Sequence, residues 1–169
     1  YQDTDVNIRK FSKHEFKEWC ARISSIYHLE LDDAKKICER KWNRGVFKGT
    51  PFSIHPVKTE KEVFDTYDDY VFRPIGMVKI RATVINAEDS MFNPAIYKIS
   101  QVKVVDGPKV EDNIREVVTY EGIYSDIADE GEKIEVRGKL EKVINKRLGT
   151  HYYRVLIGSP EADGLDYLR

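Results

Sequence analysis

The run GEKIEVRGKLEKV, residues 131–143, alternates apolar and charged side chains and then sets Gly138 where the next inward-facing side chain belongs. Ile134, Val136 and Leu140 fall on one face. Lys133, Glu135, Arg137, Lys139 and Glu141 fall on the other, the period of two expected of a strand with one buried face. An inward glycine suits a small closed barrel, because it relieves side-chain crowding and lets the strand coil sharply.

Four further runs carry strand patterns. Val78, Ile80, Ala82 and Val84 alternate with Lys79, Arg81 and Thr83, in a strand expected to begin at Met77. A second run covers about 96–105, with a change of phase near Ser100 that predicts a bulge. A third covers about 115–122, and after the opening stretch and a turn at NKRLGT comes the last, HYYRVLIGS. The connection YSDIADEGE between the third and fourth strands is longer than a hairpin turn. This sequence of elements matches a five-stranded Greek-key barrel of the oligonucleotide/oligosaccharide-binding (OB) type, with a half-open β-sandwich as the alternative.

Residues 1–70 read differently. From 12 to 27, Phe16, Trp19, Cys20, Ile23, Ile26 and Tyr27 recur at helical spacing after a Ser12/Glu15 capping box. A second helix is expected from Asp32 to Asn43, with Ala34, Ile37, Cys38 and Trp42 on its apolar side and Gly45 as its stop. Two short extended runs around Lys48-Gly49 follow, then a short helix in TEKEVFDTY. The segment DDYVFRPIG, with its Pro74-Gly76 punctuation, is the expected boundary between a helical and hairpin segment, 1–70, and the barrel, 71–169. The fold class is α+β.

The 28 Lys plus Arg against 29 Asp plus Glu give a net charge of -1, so no long-range field favours a polyanion or an anionic membrane, and any nucleic-acid contact has to be local. Cys20 and Cys38 sit in helical patterns without metal-ligand spacing and read as buried thiols. No apolar run reaches bilayer length and no signal peptide opens the chain, which points to the cytoplasm. A chain opening at Tyr1 without methionine reads as a piece of a longer protein.

Four strings, ERKWNRGVFKGTPFSIHPVK, GMVKIRATVINAEDSMFNPAIYKI, VVTYEGIYSDIADEGEKIEVRGKLEKV and YYRVLIGSPEADGLDYL, together resemble the C-terminal portion of the archaeal predicted nucleotidyltransferases. The resemblance implies an N-terminal nucleotidyltransferase unit followed by a barrel of this type. It also implies a Gly-Ser helix start for nucleotide phosphates and an Asp-x-Asp pair for magnesium. Neither motif is in place here: Gly158-Ser159 closes the last strand, and Asp3 and Asp5 flank Thr4 with no phosphate loop before them. The chain therefore reads as catalytically incomplete, with no cofactor of its own and magnesium belonging to the missing unit. Asp3 and Asp5 read as a solvated terminus, with a degenerate metal pair as the competing account.

Binding is the remaining expectation. Barrels of this class hold single-stranded nucleic acid across the second and third strands through basic and aromatic side chains. The candidate contacts are Lys79, Arg81, Tyr97, Lys98 and Lys103 on the first two strands, Arg137, Lys139, Lys146, Arg147, Tyr152 and Arg154 on the last two, and Lys41 and Arg44 near the second helix. The expected partner is single-stranded or tRNA-like nucleic acid and not a membrane. The competing account makes the barrel a protein-interaction or homodimerisation module whose basic patches are ordinary surface, and each tyrosine taken singly suits core or rim packing better than a base contact.

Overall fold

The computed structural model describes residues 13–40, 44–47, 50–53, 56–58, 67–110 and 113–169. The chain divides into two compact units, Tyr1–Pro56 and Val57–Arg169. In the first, helices α1 (Lys13–Tyr27) and α2 (Leu31–Arg40) pair, followed by the hairpin β1 (Arg44–Phe47) and β2 (Thr50–Ser53). Asp32 and Asp33 complement the dipole in the first turn of α2. Cys20, Ile23, Ala34, Ile37 and Cys38 are buried, whereas Ile26, expected on the apolar stripe, is exposed. Both thiols are free. Burial, with Cys20 and Glu39 as neighbours, pushes the Cys38 thiol up to about 12, which makes it a weak nucleophile at neutral pH. Asp3 and Asp5, Trp42, the Lys48-Gly49 turn and most of TEKEVFDTY lie outside the described residues.

The second unit is a mixed sheet of six strands: β3 (Tyr70–Asn86), β4 (Ala95–Asp106), β5 (Ile114–Thr119), β6 (Lys133–Asn145), β7 (Thr150–Ile157) and β8 (Tyr167–Leu168). Its order is β3-β4-β5-β7-β6-β8, and β3 also pairs with β6 from Tyr70↔Asn145 to Thr83↔Lys133, so five strands close into a ring. All contacts round the ring are antiparallel except β5 with β7, which is parallel. The ring interior holds Val78, Ile80, Ala82 and Val84 from β3, Tyr97 and Ile99 from β4, Val117 from β5, Ile134, Val136 and Leu140 from β6, and Val155 and Ile157 from β7.

Gly138 occupies the inward place that its sequence context assigned to it. β7 pairs with β6 only as far as Lys139↔Leu156, and β8 takes over the same edge at Arg137↔Tyr167. At this changeover a Cβ on residue 138 would lie 2.5 Å from the Leu156 carbonyl oxygen and 2.9 Å from Val155 Cγ1. Only glycine lets the two strands approach so closely.

Two features depart from expectation. β3 begins at Tyr70, not Met77, and runs through Pro74 and Gly76. The ladder slips at these residues, from Pro74↔Glu141 to Gly76↔Leu140, and a bulge there accommodates a proline that has no N–H to donate. The inner face of β4 includes Tyr97, named among the outward or rim candidates for a nucleic-acid contact. The predicted bulge in β4 is present: between Arg81↔Lys103 and Thr83↔Ser100, β3 advances two residues while β4 advances three. Gln101 takes up the excess with a left-handed φ of 51°.

Candidate functional site

The outward side chains of the ring are organised around three carboxylates. Glu135 on β6 is the most heavily bonded. Its Oε1 accepts from Tyr167 Oη at 2.8 Å and Arg169 Nη2 at 2.8 Å and lies 3.1 Å from Lys79 Nζ, while Oε2 accepts from Arg81 Nε at 3.0 Å. Burial alone would raise its pKa, but the bonds from Tyr167, Lys79, Arg169 and Arg81 outweigh it and hold the carboxyl at about 2. Lys79 is correspondingly raised by Tyr167 and Glu135. Backbone bonds between Glu135 and Arg169 align this C-terminal segment with β6.

Glu116 on β5 accepts from Lys98 Nζ at 2.5 Å and from Tyr152 Oη at 2.8 Å. Burial and the adjacent Glu116 carboxylate both raise the Tyr152 phenol, which keeps it a neutral donor. Glu141 on β6 accepts from Arg154 Nε at 2.9 Å and lies 3.3 Å from Lys139 Nζ. The Arg154 guanidinium stacks 4.0 Å from the centre of the Phe72 ring.

These contacts sort the expected binding residues. Lys79, Arg81, Lys98, Lys139 and Arg154 face outward but are each paired with a carboxylate. Tyr97 requires a correction: its exposure is 0%, and its hydroxyl donates to the Tyr124 carbonyl at 2.5 Å and accepts from Ile127 N–H at 3.1 Å. The ring therefore ties down the connection after β5 and is not available to stack on a base. Tyr152 is half-buried with its hydroxyl committed to Glu116. Lys103, Arg137, Lys146 and Arg147 have no ion-pair partner among the described residues; Lys146 and Arg147 sit in the β6–β7 turn. Lys41 lies outside the described residues, and Arg44 is described only as the first backbone position of β1.

The expected binding surface across the second and third strands of the ring is also altered. On β5 the outward positions Glu116 and Val118 are 4% and 1% exposed, so that face is covered. An accessible basic surface lies instead across β3, β4 and β6, in a cleft of about 330 Å³ lined by Arg81, Ala82, Thr83, Gln101, Lys103, Lys133, Ile134, Glu135 and Arg169. Four basic side chains meet one acidic side chain there. Arg81 and Lys103 were legible as candidates in the sequence; Lys133, Gln101, Glu135 and Arg169 were not. The alternation around Gly138 already placed Lys133 and Glu135 on the outward face, and the phase change near Ser100 marked the bulge that carries Gln101.

The chain is 32% identical over 131 residues to the uncharacterized protein MJ1086 of Methanocaldococcus jannaschii, an alignment covering 78% of this chain and 36% of that protein. The chain thus spans about a third of the length of the curated relative it matches. No family model and no solved structure matches it. Among the described residues no helix is long and apolar enough to cross a membrane.

Proposed function

We propose that the five-strand ring is an OB-type barrel, and that the chain is the nucleic-acid-gripping C-terminal region of a protein of the predicted nucleotidyltransferase class. The ring order and the single parallel pair, β5 with β7, support the barrel reading, because an up-and-down barrel would be antiparallel throughout. The greater length of the archaeal relative leaves room for a catalytic unit, to which nucleotide and magnesium would belong. The observation that carries the binding reading is the cleft: Lys103 and Lys133 stand there without a carboxylate partner among the described residues, next to Arg81 and Arg169.

With Tyr97 in the core, base stacking contributes little and affinity rests on phosphate contacts. Such binding is weak, with a Kd of about 1–100 μM at physiological salt, and independent of sequence. Two to four neutralised phosphates on a single strand give a slope of about −1.4 to −2.8 in log K against log salt, or about a 7- to 50-fold loss between 50 and 200 mM. Fluorescence anisotropy of a labelled single-stranded 12-mer, as RNA and as DNA, reads this slope. A flat titration at 20 mM salt contradicts the reading.

The protein-interaction reading has its own support, since five of the expected cations are already neutralised on the ring surface. It predicts a concentration-dependent sedimentation coefficient and no anisotropy change with either oligonucleotide.

A further inference from the structure

The β4 bulge raises a question that generic basic surface does not answer. Gln101 holds a left-handed conformation in the middle of a well-paired strand, at a bulge position that glycine ordinarily occupies without strain. Its side chain is fixed by the Thr83 hydroxyl, which donates to Oε1 at 3.1 Å, and the amide nitrogen makes no hydrogen bond among the described residues. Thr83 pairs with Lys133 on one side and Ser100 on the other, while Arg81 pairs with Glu135 and Lys103. The register therefore brings Lys133, the Gln101 amide, Arg81 and Lys103 around one spot on the outer face.

We propose that this spot is a phosphate-binding subsite, with Lys103 and Lys133 supplying charge, the Gln101 amide a neutral donor and Arg81 its guanidinium edge. Arg81 meets Glu135 through Nε, and its Nη groups make no hydrogen bond among the described residues. Glu135 already accepts from four donors, so its charge is spent locally and the other cations of the cleft face an incoming anion. A planar guanidinium edge and two lysines within one cleft suit a tetrahedral oxyanion, and the cleft volume lies at the low end for small-ligand sites. The subsite deepens the nucleic-acid reading and rests on it for the identity of the molecule that carries the phosphate. At this bulge glutamine supplies a donor that glycine cannot.

The test is a titration of the ¹⁵N-labelled chain with inorganic phosphate, adenosine 5′-monophosphate and adenosine at constant ionic strength, following backbone amide signals. The expected result is saturable shifts at the amides of 101, 103 and 133 with phosphate and the monophosphate but not with adenosine. The double substitution Lys103→Ala/Lys133→Ala abolishes them. Gln101→Gly weakens binding at least fivefold while raising the thermal midpoint, a combination that a purely structural role for Gln101 does not give. Shifts that fail to saturate, centre elsewhere or persist in the double variant overturn the subsite. If phosphate shifts are missing from the parent chain while the 12-mer still binds it and binds the double variant less tightly, the subsite fails and the nucleic-acid reading stands. If phosphate seats in the cleft and no oligonucleotide binds, the subsite stands and the nucleic-acid reading fails.

Discussion

Gly138 and Glu135 lie three residues apart on β6 and are fixed by opposite requirements, one for the absence of a side chain and one for its charge. At Gly138 a methyl group would meet the Leu156 carbonyl and Val155 Cγ1 inside van der Waals distance, with backbone on one side that cannot yield without moving β7. Gly138→Ala is therefore expected to destabilise the fold by about 3 kcal/mol, at the upper end for overpacking, read as a lowered urea midpoint at unchanged slope. At Glu135 the folded carboxyl titrates at about 2, below its ordinary 4.5. A depressed carboxyl contributes stability in full above about pH 4.5 and loses it as the pH falls toward 2. Glu135→Gln is expected to cost on the order of 2 kcal/mol at pH 7, and the difference from the parent chain should shrink steadily below pH 4.5. A difference that stays constant from pH 7 to 3 contradicts the charge-based account.

Among the elements, β4 and the connection after β5 depend on one another through Tyr97. Its buried hydroxyl bridges the Tyr124 carbonyl and the Ile127 N–H, so Tyr97→Phe removes both bonds from the core and is expected to cost about 2 kcal/mol. Hydrogen exchange localises the effect: the Ile127 amide should lose protection well beyond the global loss of stability. Here the sequence was partly legible. Alternation located five strands and the inward glycine because period two depends only on which face is buried. It placed the start of β3 too late, since Pro74 and Gly76 look like punctuation until the bulge opposite Glu141 is seen. It left Tyr97 among the outward or rim candidates, with core packing as the alternative, because nothing local in the chain foretells that a connection some thirty residues on will offer its hydroxyl two backbone partners.

For the whole molecule, the nearly neutral composition is resolved into local pairs. Glu135, Glu116 and Glu141 each gather basic side chains that sequence alone presents as a basic surface, and among the described residues strand pairing sets Lys103 and Lys133 beside one cleft with no carboxylate partner. The cleft was not legible because it needs long-range registers: Thr83 beside Lys133, Arg81 beside Lys103, and Arg169 brought back onto Glu135. The β6–β7 turn with Lys146 and Arg147 lies beyond Tyr70↔Asn145, at the opposite end of the β3/β6 ladder from Thr83↔Lys133. The two basic sites are thus about 40 Å apart along the strands, at roughly 3.3 Å per residue, and can be tested separately. The most direct measurement is the affinity of the single-stranded 12-mer at 50 mM salt for Lys103→Glu/Lys133→Glu and for Lys146→Glu/Arg147→Glu, each against the parent chain. Binding through the cleft predicts a loss of at least tenfold in the first pair and less than threefold in the second. Equal losses in both, or a loss only in the turn variant, would contradict it.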